Sequence, residues 1–387
     1  MRKAIIIPIY LRLHRPEELV HSEGLRLAKR AIESLKILED RDYTLILPVC
    51  FDVERGDEEG LLLNMDRALR ESLKAIRDGR RLVFTSYNLR DLRGYLKQRG
   101  FIDFHSQIGL KGFPNIRNAA LLLAQAVSTD VAIFIDSDEV IEDSDYLGIA
   151  CEHIHQRWRG RMVYGKGGFY VNPDGNILLP PSHHWWRLFW NKTKWMNGVW
   201  ERILSSRRRL VPTPVLLGGN LVLHRDLFRS VPFDPYIPRG EDTDYLINAS
   251  QFGFAIYFDK ELRVKHLHPE RKGEYFYEEL RWDIERFLYE REKIKSGKSL
   301  DLDPYPGYFL KRSLYPKAIL TSLFLSLDHV VKGEWKKAGG FLHNLHLIFR
   351  KRDGGWLRYL QFKEDWERAM EAIEKDRLGK ILEDCWI

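Results

Sequence analysis

The 387-residue chain is 44% hydrophobic and 30% charged, which is apolar enough to bury a sizeable core and excludes a disordered polymer. Its net charge of +7 favours anionic partners, with nucleic acid, nucleotide-sugars and phospholipid surfaces as the candidate classes. Three distant cysteines, Cys50, Cys151 and Cys385, suggest neither a disulfide framework nor a zinc site, and no run approaches the roughly 20 apolar residues that cross a bilayer, so a cytoplasmic protein is expected.

The opening run from Met1 to Tyr10 is too brief for a signal peptide, and Ile5 to Ile9 reads as a first strand. Helical periodicity over Glu23 to Leu38, a strand from Tyr43 to Val49, a helix from Leu61 to Arg77 and a strand from Arg81 to Tyr87 follow in turn. Ile116 to Val127 is a helix that leads into the strand beginning at Val131. Alternation of this kind predicts an α/β fold with a mainly parallel sheet flanked by helices. After Gly160 shorter strands are expected at Met162 to Tyr170, Leu216 to His224 and Phe254 to Phe258. From about residue 270 the pattern turns helical, with Tyr275 to Lys295, Lys311 to Val331, Trp335 to Arg350 and Trp356 to Arg377, so the predicted division is 1–270 and a C-terminal helical region over 271–387.

The most informative stretch is Val131-Ala-Ile-Phe-Ile-Asp136-Ser137-Asp138-Glu139, a buried strand that ends in three carboxylates within four positions. Carboxylate oxygens suit Mg²⁺ or Mn²⁺, which bind through few protein ligands plus the phosphates of a substrate. In open α/β sheets ligands bind beyond the carboxyl ends of strands, where Asp136 to Glu139 would lie. The loop Gly109-Leu-Lys111-Gly112-Phe-Pro-Asn115-Ile-Arg117-Asn118 could bring Lys111 and Arg117 to nucleotide phosphates or base while Asn118 caps or braces it; taken alone, a solvated loop with an ordinary helix start is the favoured account. Gly218-Gly219-Asn220 lets backbone approach a ligand, or lets one strand turn past another. Glu241-Asp242 before an apolar run is either a helix N-cap, at Asp242 or Thr243, or a catalytic base with a partner that holds substrate hydroxyls. His266 and His268 point the same way on an extended segment, as structural residues or as metal ligands with Asp138.

Taken in order, the Ile-Ile-Ile-Pro8-Ile strand, Arg117-Asn118, Asp136-Ser137-Asp138, Gly218-Gly219-Asn220, Gly240-Glu241-Asp242 and His266 resemble a family 2-type glycosyltransferase of the GT-A, Rossmann-like fold over residues 1 to 270. The resemblance implies a nucleoside-diphosphate sugar as donor, Mn²⁺ or Mg²⁺ as cofactor, and a sugar, lipid-linked or small-molecule acceptor. It implies that Asp138, with Asp136 and His266 or His268, holds the metal, and that Pro8, Tyr10, Asp52, Lys111, Arg117, Asn118, Ser137, Gly218 and Gly219 surround the donor, Asp52 beside the base. It also implies that Asp242 takes the acceptor proton while Glu241 orients the acceptor, with inversion at the anomeric carbon. A retaining transferase and a nucleotidyltransferase acting on a sugar phosphate are the competing enzymes. A basic nucleic-acid or membrane module leaves the carboxylates unexplained, and no nucleic-acid partner is expected.

Two further features concern surfaces. The segment His183-His184-Trp185-Trp186-Arg187-Leu-Phe189-Trp190, with Trp195 and Trp200, holds five of the eleven tryptophans and could stack on sugars, sit at a membrane interface, or pack in the core. The basic, aromatic stretch from Tyr305 to Arg358, with Lys311, Arg312, Lys336, Lys337, Arg350, Lys351 and Arg352, could rest on a membrane as a peripheral contact or be a solvated face of a helical bundle.

Overall fold

The computed structural model describes every residue except 54–58, 77–79, 181–184, 268–275, 299, 312 and 350–353. Its described strands are β1 (Lys3–Ile6), β2 (Ile9–Leu13), β3 (Tyr43–Val53), β4 (Arg81–Thr85), β5 (Val131–Phe134), β6 (Glu139–Val140), β7 (Arg157–Trp158), β8 (Arg161–Val171), β9 (Leu210–Pro212), β10 (Leu221–His224) and β11 (Ala255–His266). The main path runs β2-β3-β1-β5-β10-β8-β11-β6, with β4 beside β3, β9 beside β11 and β7 beside β8. Strands β1 to β5 associate in parallel, whereas β10 enters antiparallel against both β5 and β8. The sheet is therefore mixed and helix-flanked, in keeping with the α/β expectation.

Both faces of the central strands are covered, which is why they read as continuous apolar runs. Ala4, Ile6, Ala132, Phe134, Leu221 and Leu223 point into one core, formed with the helices Leu89–Gln98, Phe113–Ala126 and Gly355–Asp376. Their neighbours Ile5, Ile7, Val131, Ile133 and Val222 point into the other, against the helices Glu23–Ser34, Glu59–Lys74 and Tyr146–Cys151. A third core joins Phe169 and Phe258 of the sheet to Trp190, Trp200, Ile284, Phe287 and Phe309.

Several elements differ from the sequence reading in extent. The first strand breaks at Ile7-Pro8, because proline offers no N–H to a ladder, and resumes as β2. Strand β3 runs on through Asp52 to Val53, and β11 reaches His266 instead of stopping at Phe258. Of Leu216 to His224 only the last four residues form a strand. The helices Leu89–Gln98 and Lys192–Ser205 are additions that the sequence reading had left out.

The C-terminal helices Phe276–Ser296, Leu314–Val331, Trp335–Phe349 and Gly355–Asp376 lie close to their expected spans. The expected boundary near 270 lies outside the described residues. Phe362, Trp366, Met370 and Ile373 from the last long helix are buried in the same core as β1 and β5. The chain end also zips to β4: the Arg81 N–H donates to the Ile387 carbonyl at 3.1 Å, and the Val83 N–H to the Cys385 carbonyl at 2.7 Å.

Candidate functional site

Strand β5 delivers Asp136 to its carboxyl end, beside the helix Phe113–Ala126. That helix starts on Gly112 and Pro114, and its first turns carry Arg117 and Asn118 into the interior. Arg117 is only 2% exposed, a costly place for a cation unless it is paired. It donates from Nη2 to Asp136 Oδ1 at 2.8 Å and from Nη1 to the Gly218 carbonyl at 2.7 Å, and its Nε lies 3.4 Å from Glu241 Oε1. The rings of Phe134 and Phe233 lie against the guanidinium.

Asp136 is drawn two ways. Burial raises its carboxyl, Arg117 lowers it and the Asp138 charge raises it again, leaving it above the ordinary carboxylate range. Beneath it, Glu139 is fully buried at the start of β6 and accepts the Asp136 backbone N–H at 2.9 Å. Burial, then the charges of Asp136 and Asp138, hold its carboxyl well above the usual range. Asp138 faces His266 at the end of β11, with Oδ2 and Nε2 3.4 Å apart, and the His266 ring stacks on Tyr170 at 5.3 Å. At the turn from Asp136 to Glu139 three carboxylates meet one buried cation, Arg117, and such a local excess fits a divalent ion. The donor set of Asp138, His266 and Asp136 is chemically suited to Mn²⁺ or Mg²⁺, although Asp136 is turned toward Arg117 in this geometry. His268, the alternative ligand, lies outside the described residues.

The glycine pair has a packing reason. A Cβ on Gly218 would come within 2.5 Å of Arg117 Nη2, and one on Gly219 within 2.3 Å of the Glu139 carboxylate. The Gly219 N–H donates to the Tyr170 hydroxyl at 2.6 Å. Asn118 serves as a brace: its amide bonds both the carbonyl and the N–H of Phe233 at 2.8 Å.

Glu241 and Asp242 open the helix Glu241–Gln251, whose N-cap is Gly240 at φ +72° rather than Asp242 or Thr243. A side chain at that cap would strike the Arg286 guanidinium. Glu241 is nearly buried; burial first and then the Asp242 charge push its carboxyl up to about 7, against the pull of Arg117. Asp242 remains half-exposed beside a cleft of about 280 Å³ lined by Arg117, Asp136, Tyr170, Lys192, Met196, Gly218, Arg239, Glu241, Arg286 and Tyr305.

A second hollow, about 730 Å³, lies past the ends of β3 and β4 and is lined by Asp52, Ser86, Arg90, Arg93, Lys97, Lys111 and Asn115. Asp52 accepts hydrogen bonds from Lys111 Nζ at 2.6 Å and from the Tyr10 hydroxyl at 3.0 Å, and the Lys111 bond chiefly holds its carboxyl below the usual range. Tyr10, Asp52 and Lys111 are thus brought together, as Arg117, Asp136, Gly218 and Glu241 are in the smaller cleft. Pro8 sits at the break between β1 and β2, and Ser137 in the turn between Asp136 and Asp138.

The sequence reading missed Glu139 as a buried carboxylate, and also Tyr170, Lys192, Arg286 and Tyr305, which no local pattern marks. It also missed His155, His224 and Asp226, whose donor atoms lie within 4.8 Å of one another. That cluster is at the opposite end of β5, where His224 pairs with Val131. Its two imidazoles stack face to face, 4.1 Å apart and 6° from parallel, so their in-plane lone pairs do not converge on one point.

No family model matches the sequence, and no curated protein matches it. Solved structures do match. The mannosyltransferase PcManGT from Pyrobaculum calidifontis, in complex with GDP-Man and Mn²⁺, is 12% identical, over 99% of this chain and 87% of that one, with a TM-score of 0.44. GalNAc-T7 with UDP, GalNAc and Mn²⁺ is 14% identical, over 98% of this chain but only 57% of that one, with a TM-score of 0.44. The glucosyl-3-phosphoglycerate synthase of Mycobacterium tuberculosis, with Mn²⁺, UDP and phosphoglyceric acid, is 15% identical, over 69% and 71%, with a TM-score of 0.36. Likeness at this level assigns no residue a role.

Proposed function

We propose that the chain is a metal-dependent glycosyltransferase of the GT-A type, moving a sugar from a nucleoside-diphosphate sugar to an acceptor hydroxyl with inversion. The observation that carries the reading is the buried Arg117, which ties the strand-end carboxylate Asp136 and the helix-start carboxylate Glu241 into one cleft. Two acidic motifs far apart in sequence thereby face a single reacting centre.

Asp138 and His266, with Asp136 beside them, would hold a divalent cation, which would supply positive charge against the diphosphate leaving group. The chain's own groups do the rest. Asp242, at the open edge of the cleft, accepts the proton of an acceptor hydroxyl as its oxygen bonds to the anomeric carbon and the carbon–oxygen bond to the diphosphate breaks. Glu241, with a carboxyl near 7, holds the acceptor oxygen through either protonation state. The hollow around Asp52, Lys111 and Tyr10 takes the nucleoside, where Asp52 accepts from the base. Residues 1–270 form the transferase unit in this reading, and 271–387 complete the cleft wall through Arg286 and Tyr305. A lipid-linked acceptor and peripheral membrane contact belong to the same proposal.

Incubation with a panel of sugar nucleotides and Mn²⁺ tests it: release of nucleoside diphosphate is expected, and loss of that release in Asp138→Ala. Release of pyrophosphate from a nucleoside triphosphate and a sugar phosphate would instead establish the nucleotidyltransferase. Retention of the donor's anomeric configuration would remove Asp242 from the base role.

A further inference from the structure

The helix Leu314–Val331 is packed inside out. Its inward face carries Thr321, Ser322 and Ser326 among Leu314, Ala318 and Leu325, all buried. Its outward face carries Leu320, Leu323, Phe324, Leu327 and Val331, spaced as one stripe, with Leu327 59% and Val331 88% exposed. Water does not favour such an orientation: the hydroxyls have taken the interior, where the Thr321 hydroxyl bonds the Lys317 carbonyl and the Ser326 hydroxyl bonds the Ala338 carbonyl, while the leucines face out.

Neighbouring elements extend the surface. The packed helix Trp335–Phe349 exposes Trp335, Leu342 and Phe349 along its own outer side. The turn Trp185–Leu188 adds Trp185, edge-on to Phe324, and Leu188, 83% exposed; Phe189 stacks on Phe324 at 5.4 Å. Exposed apolar side chains gathered on packed neighbouring elements in this way mark an interaction site.

We propose that this face docks on an anionic membrane surface, with the helix Leu314–Val331 lying in the interface rather than crossing it. Charge selects the occupant. Among the described residues of 311–349 five lysines, Lys311, Lys317, Lys332, Lys336 and Lys337, stand against two acids, Asp328 and Glu334, a surplus of three. A second copy of the chain would bring that same surplus against itself, whereas acidic headgroups neutralise it. Indole rings at Trp185 and Trp335 suit the headgroup level. No described helix is long and apolar enough to cross a membrane, so the surface is one that lies on the bilayer. The same segment reaches the reaction cleft: Trp190 leads from the docking turn into the helix Lys192–Ser205, whose Lys192 and Met196 line it. The inference thus deepens the proposed transferase by giving it a bilayer-borne acceptor, and on that point it rests on the transferase reading.

Vesicle sedimentation tests the surface without any reaction. The wild-type chain is expected to pellet with phosphatidylglycerol-containing vesicles at low salt, and much less with phosphatidylcholine alone or at high salt. Leu323→Glu/Leu327→Glu should reduce pelleting about tenfold or more while nucleoside-diphosphate release with a soluble acceptor stays at the wild-type level. Should the double variant fail to fold, quenching of wild-type fluorescence by brominated lipid, diminished in Trp335→Phe, reads the same contact. Absence of pelleting and quenching with anionic vesicles overturns the proposal. So does a wild-type dimer by light scattering that Leu323→Glu/Leu327→Glu dissociates while vesicles are ignored. Docking without sugar transfer would instead condemn the enzymatic reading and leave the membrane face standing.

Discussion

Individual side chains divide into those that meet a ligand and those that hold others in place. Asp242 is of the first kind: Asp242→Asn is expected to lower kcat by about 10²–10⁴-fold while calorimetric affinity for the sugar nucleotide stays within about twofold of wild type. Gly219 is of the second kind, since Gly219→Ala thrusts a methyl into the Glu139 carboxylate; a loss of about 1–3 kcal/mol in urea-unfolding stability is expected. Glu290 reports on burial through pH. Its carboxyl, fully buried beside Arg286, is raised from 4.5 to about 7, burial being the main cause and Arg286 opposing it. The folded chain keeps that proton where the unfolded chain has released it, so the contribution to stability is complete below about 4.5 and disappears as pH climbs to about 7. The thermal midpoint should fall across that window, and Glu290→Gln should flatten this component. Asp136, Asp138, Glu241 and Asp242 were legible in the sequence because each pair lies within three positions and borders an apolar run. Glu139, Tyr170 and Arg286 were not, because what they touch is set by strands and helices distant in sequence.

Elements are held to one another by buried ion pairs as well as by apolar packing. Lys293, on the helix Phe276–Ser296, is fully buried, with Nζ 2.5 Å from Asp234 Oδ2 and 2.7 Å from both oxygens of Asp244. Asp244 lies on the helix that begins with Glu241 and Asp242, so one ammonium pins the proposed catalytic helix to the C-terminal region. Lys293→Met should cost about 3–5 kcal/mol in denaturant unfolding, since it strands two carboxylates in the interior. The sequence showed the helix Phe276–Ser296 through its periodicity and the helix Glu241–Gln251 only as one reading of an acidic start before an apolar run, and it hid their pairing, because a lysine in the last turn of a helix reads as solvated. It also hid the outward stripe of Leu314–Val331: periodicity reveals that a helix has an apolar side and is silent about which side turns inward. The break at Pro8 runs against the single strand Ile5 to Ile9 of the sequence reading, and the continuation into β2 depends on β3 running past Val49 to offer a partner.

At the level of the whole molecule, the alternation of strands and helices disclosed the α/β class, while the antiparallel entry of β10 between β5 and β8 left no trace in local pattern, since its four residues are as apolar as any parallel strand. The C-terminal helices were legible as helices, and their share in the central core was not. Trp366 is fully buried, donates from Nε1 to the Phe228 carbonyl at 2.9 Å and contacts Phe104. A chain ended at Gly354 would expose that core and lose the strand-like pairing of Arg81 and Val83 with the C-terminus. It is expected to be insoluble or to lack cooperative unfolding by circular dichroism, where the full chain unfolds cooperatively. The cleft draws its Asp136 side from the sheet and its Arg286 and Tyr305 side from beyond residue 270. Under the proposed chemistry, descendants of this gene could trade one recipient molecule for another by altering the tail alone, with the machinery that grasps the activated sugar inherited intact.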